Sequence, residues 1–309
     1  MKRIVVTLAA SLFLAACSAS QNPFRPATAT PDPGTGDPAT GDASDIPAPL
    51  AGDLTRFVYD ALAQTLTVEG LPYDSTNPGT DSATYVRNPA LDRNGYEAYT
   101  FQNSGDDRHF TAYVAETGNA SGARAGIVSS GGPRNRVFKG GYFERSGAFT
   151  SPTGQVTYTG SYVGLTNGAL STEDLQAPSV VDPLTNPTQA AETTGDISIT
   201  ADFANGAVEG DITNRVRVDD ALALPSIVLV STGITAEGAF NGVQVEYNQG
   251  EFPGDNVIGV DIGDFGGVFA GTPGMTSVVG VIALDEFDGP NDPLGLEGEE
   301  EIGVFVLDE

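Results

Sequence analysis

Residue types that carry chemistry are scarce in this sequence of 309 residues: it has one histidine, His109, one cysteine, Cys17, and two lysines, Lys2 and Lys139. A single histidine excludes a histidine-rich metal site, and any hydrolytic triad would have to be built on His109. A lone cysteine has no disulfide partner within the chain. No lysine stands where a phosphate-binding loop needs one, and the glycine-rich stretch "GDFGGVFAG" (263–271) leads into no helical pattern. Basic residues are also few, 14 Lys and Arg against 41 Asp and Glu, for a formal net charge of −27. None follows Arg217, while residues 218–309 hold 18 acidic ones. A chain this acidic is repelled by phosphate backbones, which excludes nucleic acid as a partner. The charge is read first as a device for solubility, with cation or basic-partner binding as the alternative.

What is abundant is Gly, 39 residues, and Pro, 20 residues. Both break helix interiors, so helices are expected to be rare.

The N-terminus "MKRIVVTLAASLFLAACSAS" opens with Lys2 and Arg3 and continues in an apolar run to Ala16, too short for a comfortable membrane span. This predicts a secretory signal over residues 1–16. Leu14-Ala15-Ala16-Cys17 resembles the lipobox of bacterial lipoproteins, which implies a diacylglycerol on the Cys17 sulfur and Cys17 as the first mature residue. Removing Lys2 and Arg3 would leave 12 basic residues and a net charge of −29. Anchoring by acyl chains then places the protein on a membrane without spanning it. Ser18 after the cysteine fits sorting to the outer membrane.

Residues 17–50 are expected to be a lipidated cysteine followed by a disordered tether: seven prolines with almost no bulky apolar side chains cannot offset the entropy of ordering. Residues 51–145 form a β-rich region with strand-like runs around Leu66 and Val68, Tyr96 to Phe101, and Phe110 to Val114. A shift in charge balance near Ser146 marks the boundary to a second region, 146–309. There "QVTYTGSYVG" and "FGGVFAG" alternate aromatics with glycine along one face, the pattern of a strongly curved sheet in which a ring covers a neighbouring glycine. Strands at 156–164, 225–231, 234–245, 265–271, 277–284 and 301–307, with the two strands of the hairpin "ADFANGAVEGDI" (201–212), make eight. Eight antiparallel strands can close into a barrel filled by its own side chains; an open sandwich is the competing architecture. If Asn205-Gly206 is a two-residue loop, Phe203 faces Val208, Ile199 faces Ile212, and Asp202 faces Glu209 on a wet side. The fold class is thus all-β, with a C-terminal eight-stranded antiparallel barrel preceded by a smaller β-rich region.

"YTGSYVGLTN", "ISITADFANGAVEGDITNR", "GAFNGV" and "GDFGGVFAGTPGMTSVVGVIAL" in this order resemble the barrel of transferrin-binding protein B-like lipoproteins. The resemblance covers residues 146–309 and makes 51–145 the less regular region that precedes a lobe's barrel. It implies a lipid-anchored surface protein that binds another protein or a small iron-containing ligand. This chain has room for one lobe where the family has two, and no binding residue transfers to it.

Four features are candidate sites. His109 sits on the polar side of a strand and is expected to face solvent. Arg134, Arg136 and Lys139 form the densest basic cluster. The acidic stretch 285–301, with Asp285, Asp288, Asn291, Asp292 and Glu299 to Glu301, offers hard oxygen ligands for calcium but lacks the spacing of an EF-hand loop, and is read first as a solvated loop. The long connection Asn167–Thr194, with three prolines and little periodicity, is a binding loop or a mobile insertion. No catalytic, cofactor or metal residue is assigned, and lipid attachment at Cys17 is the one site. The expected function is a non-enzymatic binding module of the bacterial envelope. A small-ligand carrier with a hollow barrel and a structural envelope lipoprotein are the alternatives.

Overall fold

Alternation of apolar and polar residues builds most of this molecule, because nearly every regular element among the described residues is a strand; the exceptions there are one short helix, α1 (Ala48–Ala51), and isolated 3-10 turns. The computed structural model describes residues 41–73, 82–132, 137–167, 174–182, 186–252, 257, 259–290, 293–295 and 298–309. Among them, no helix is long and apolar enough to cross a membrane. The strands form two antiparallel sheets.

The first sheet is a meander in which each strand bonds to the next: β1 (Arg56–Asp60), β2 (Thr65–Glu69), β3 (Ser82–Arg87), β4 (Glu97–Phe101), β5 (His109–Glu116), β6 (Ala123–Gly131) and β7 (Lys139–Arg145). The region expected to be less regular is therefore a curled sheet that nearly closes on itself. Phe57 of β1 stacks on Tyr142 of β7 at 5.7 Å, and Asp53 N donates to Lys139 O at 2.9 Å. The concave side holds Phe57, Leu66, Val68, Tyr85, Phe110 and Val128, all buried.

Residues 41–50, assigned by composition to the tether, are folded. Phe57 N donates to Gly41 O at 2.7 Å and Ala43 N to Thr55 O at 3.0 Å, which adds this segment to the edge of β1. Ile46 and Leu50 enter the core. Pro49 lies in the first turn of α1, where its missing N–H removes no helical bond, so proline content did not argue against order here.

The second sheet contains β8 (Gln155–Thr166), β9 (Ala191–Asp202), β10 (Ala207–Arg217), β12 (Ile227–Gly233), β13 (Ala239–Gly242), β14 (Val245–Tyr247), β15 (Gly263–Thr272), β16 (Met275–Asp285) and β17 (Glu300–Asp308), with β11 (Leu222–Ala223) paired to β10. β13 and β14 lie at opposite ends of the strand order although they are nearly continuous in sequence. They are two halves of one bent stave: β13 pairs with β15 and β14 with β12. Val230 N donates to Gln244 O at 3.2 Å, and Ile234 bridges Phe240. The sheet thereby curls into a nearly closed barrel of eight staves. Rings cover glycines as the alternation predicted: a Cβ on Gly303 would collide with the Tyr162 ring, and one on Gly280 with the Phe305 ring.

The two sheets share a core. Val163, Val279, Val281, Ile302 and Val304 point outward from the barrel and are fully buried in one apolar cluster with Ile127 and Phe143 of the first sheet. Gly141 on β7 leaves room for the Val281 side chain. Each such aliphatic side chain contributes about 1.5–3 kcal/mol on leaving water.

The hairpin register differs from the expected one. Ala207 pairs with Asp202, Val208 with Ala201, Gly210 with Ile199 and Ile212 with Ile197, so the loop has four residues, Phe203 to Gly206. The cause is Asp202, whose carboxylate accepts from Ala204 N, Asn205 N and Asn205 Nδ2 at 3.0, 3.1 and 2.6 Å. The side chain closes the turn and shifts the pairing by two residues, which preserves the faces. Ile199, Val208 and Ile212 are buried as expected and Phe203 packs partly against them, but Asp202 does not oppose Glu209.

Candidate functional site

The barrel lumen is packed with its own side chains. Tyr158, Tyr162, Phe240, Phe265, Phe269 and Phe305 are fully buried in it. Among them lies an ion pair that alternation does not predict. Arg215 is turned inward by a bulge in β10 at Thr213 to Val216, where Asn214 takes a φ of 52°. Its Nη2 donates to Glu301 Oε1 and Oε2 at 3.1 and 3.0 Å, with both side chains fully buried. Tyr162 Oη donates to Glu301 Oε1 at 2.5 Å, Arg215 Nη1 donates to Pro225 O at 2.9 Å, and the guanidinium lies over the Phe287 ring at 5.0 Å. Burial, followed by the Glu301 charge, holds the Tyr162 hydroxyl well above the usual phenol range. These contacts tie β8, β10 and β17 together. In the sequence they are one arginine in a polar strand and one glutamate at the start of an apolar one, which gives no signal for their pairing.

A groove of about 430 Å³ runs across β8, β9 and β10, lined by Thr159, Ser161, Asp196, Ser198, Asp211 and Thr213. Strand register assembles it: Thr159 opposes Ser198 and Ser161 opposes Asp196, while Ser198 opposes Asp211 and Asp196 opposes Thr213. Asn214 Nδ2 donates to Asp196 Oδ2 at 2.7 Å. Tyr96 of the first sheet donates to Ser161 O at 3.0 Å and accepts from Val306 N at 2.9 Å, which fixes that sheet at the groove's rim. Hydroxyls and carboxylates line the groove and no lysine or arginine does. Such a lining suits a cationic or polyhydroxylated group.

Cys17, Arg134, Arg136, Asn291 and Asp292 lie outside the described residues. Lys139 is engaged by Glu300 at 2.9 Å and Asp285 at 3.5 Å and does not join a basic patch in the described part of the chain. The acidic stretch is dispersed: Glu301 points into the lumen, Glu300 and Asp285 turn to Lys139, and Asp288 accepts from Leu294 N at 3.0 Å. Among the described residues, no three His, Cys, Asp or Glu side chains are grouped to hold a metal ion. Glu299 is 1% exposed, and its carboxyl is pushed up to about 7 by burial, by its hydrogen bond with Glu286 and by the charge of Asp288.

His109 is not solvent-facing. It is fully buried, because the outer face of β5 is covered, and its Nε2 lies 3.0 Å from Asp174 Oδ2 on the long connection. That connection is not a free loop over its described parts. Gln176 makes two bonds to Gln102 at 2.9 Å each, Ser179 N donates to Asp106 Oδ1 at 2.8 Å, and Thr188 Oγ1 donates to Gly132 O at 2.5 Å. It straps the barrel to the first sheet. Nearby, Arg93 pairs with the buried Glu192 at 2.6 Å across the same junction.

No family model and no curated protein matches this chain.

Proposed function

We propose that this chain is a non-enzymatic binding module of the bacterial envelope, anchored at the outer membrane by lipid on Cys17, that engages a protein or an iron-containing ligand with the outside of its barrel. The observation that carries the reading is the filled lumen: aromatic side chains and the Arg215–Glu301 pair occupy the space that a carrier would keep for its ligand. The groove over Asp196 and Asp211 is the outward-facing concavity next to the junction with the first sheet. The order of hairpin and aromatic-glycine motifs, which resembles that of transferrin-binding protein B-like lipoproteins, supports the same reading.

Crosslinking on intact cells, followed by identification of what is recovered, tests it. A defined partner should be recovered with the native chain and lost with the pair Asp196→Lys and Asp211→Lys, whose thermal midpoint should stay within a few degrees of the native one. Recovery of peptidoglycan or abundant porins alone would replace this reading with a structural envelope role. Cys17→Ser should move the protein from the membrane fraction to the soluble one; retention in the membrane fraction would remove the lipid anchor from the proposal.

A further inference from the structure

Just before β4 the chain makes a two-residue turn: Arg93 N donates to Tyr96 O at 3.2 Å and Tyr96 N to Arg93 O at 2.8 Å. Both central residues take positive φ, 50° at Asn94 and 91° at Gly95, a backbone to which an Asn-Gly pair is suited. The two are exposed, and a Cβ on Gly95 would meet nothing within 4 Å. Their neighbours are engaged with the barrel. The buried Tyr96 donates from Oη to Ser161 O and accepts from Val306 N, and Arg93 Nε lies 2.6 Å from Glu192 Oε2. One exposed turn therefore spaces two side chains that reach from the first sheet to β8, β9 and β17.

Asn-Gly is a chemically vulnerable pair, because no Cβ on the glycine shields its nitrogen from the asparagine carboxamide. The chain has four such pairs, at Asn94, Asn167, Asn205 and Asn241. Three of these asparagines are restrained. Asn167, whose glycine lies outside the described residues, exchanges bonds with Glu300 at 3.2 and 3.0 Å and donates from Nδ2 to Gly298 O at 2.8 Å. Asn205 gives both its backbone N–H and its Nδ2 to the Asp202 carboxylate. Asn241 lies within β13 opposite Gly266, and its carbonyl accepts from Thr232 Oγ1 at 2.9 Å. Asn94 alone combines an exposed carboxamide, unbonded among the described residues, with a turn closed by two backbone bonds.

We infer that Asn94 is a site of spontaneous deamidation, and that its conversion loosens the seat of the first sheet on the barrel. Local opening of the turn lets Asn94 leave the left-handed conformation and brings its Cγ to the Gly95 nitrogen. That nitrogen gives its proton to solvent and bonds to Cγ; the Cγ–Nδ2 bond breaks, and ammonia leaves with a proton taken from water. Water then opens the cyclic imide. Attack at the side-chain carbonyl leaves aspartate, and attack at the main-chain carbonyl leaves isoaspartate, whose main chain is longer by one methylene. The net change consumes water and releases ammonia. A lengthened link no longer fits the two bonds between Arg93 and Tyr96, and either product sets a carboxylate beside Arg93 in competition with Glu192.

Ageing the full chain at mildly alkaline pH in heavy-oxygen water, followed by proteolysis and mass spectrometry, tests this. Solvent oxygen should enter at position 94 several-fold faster than at 167, 205 or 241. No label at 94, or equal rates at the restrained positions, would overturn the site. The converted chain carries an added negative charge and separates by anion exchange. In it the amide of Val306, which donates to Tyr96 Oη, should exchange hydrogen several-fold faster than in the fresh chain, while that of Ile199 keeps its rate. Asn94→Gly, which accepts the positive φ and has no carboxamide, should hold Val306 protection through the same ageing. Unchanged Val306 exchange in the converted chain, or an equal loss of protection in N94G, would overturn the loosening.

Discussion

At the scale of residues, the chain concentrates its buried charge in very few places, and each has a consequence that can be measured. Arg215 and Glu301 are both fully buried and neutralise one another's charge in the lumen. Removing one partner leaves the other charge without compensation in an apolar interior, so Arg215→Met should destabilise the fold by about 3–5 kcal/mol. Replacing both, Arg215→Met with Glu301→Leu, should recover part of that loss in urea unfolding, since apolar packing replaces the pair while the Tyr162 hydroxyl and the Pro225 carbonyl lose their partners. A double variant as unstable as the single one would show that the pair is needed for more than its own neutralisation. Glu299 gives a prediction for pH. Its carboxyl is held at about 7 in the fold against an ordinary 4.5, with burial as the main cause. The folded chain therefore keeps a proton that the unfolded chain releases, and stability declines as pH rises from 4.5 toward 7. Unfolding midpoints at pH 5 and pH 8 should differ more in the native chain than in Glu299→Gln, the remainder coming from Glu192 and Asp264, which burial also raises; identical pH dependence in both would remove Glu299 as a cause.

At the scale of elements, alternation made the barrel legible and left much of the first sheet unread. β8 and β15 announce themselves because a ring must cover each glycine, so Tyr158, Tyr162, Phe265 and Phe269 fall on one face. β6, "ARAGIVSSG", is covered on both faces and shows no alternation, which is why no pattern marked it. The expectation that His109 faces solvent fails for a related reason: alternation tells which side of a strand a residue takes, but not that a second layer covers that side. Arg215 escaped because a bulge inverts the parity of β10. The Asn-Gly pair located the 201–212 hairpin correctly, yet the register followed Asp202, whose hydrogen bonds close a loop of four residues. Asp202→Ala should then lower the unfolding midpoint, from hydrogen bonds lost in the turn. Glu209→Gln should change little. If Asp202 stood opposite Glu209, neutralising Glu209 would stabilise the hairpin, and that result would restore the shorter loop.

At the scale of the whole molecule, the outer face of the barrel and the convex side of the first sheet form one apolar cluster. The two sheets are therefore expected to unfold as one unit. The sequence has no tryptophan, so single probes are clean: Phe110→Trp reports on the first sheet and Phe240→Trp on the barrel. Their denaturation curves should coincide, and two separated midpoints would show that the junction is too weak to couple the sheets.

The pairing order also bears on how the chain comes together in time. Every strand of the first sheet bonds only to its sequence neighbours, so this half has short loops to close and can form as soon as β7 is available. The barrel is different, because β17 pairs with β8, with Ile302 against Leu165 and Val304 against Val163. Its last stave must find a partner laid down more than a hundred residues earlier. A chain released from its N-terminus onward would hold an open barrel, with the lumen aromatics and both flanking strand edges unprotected, until its final residues arrive. Any chaperone acting on this protein as it folds would meet that half-built barrel, and the interval before β17 docks is when aggregation is most to be feared.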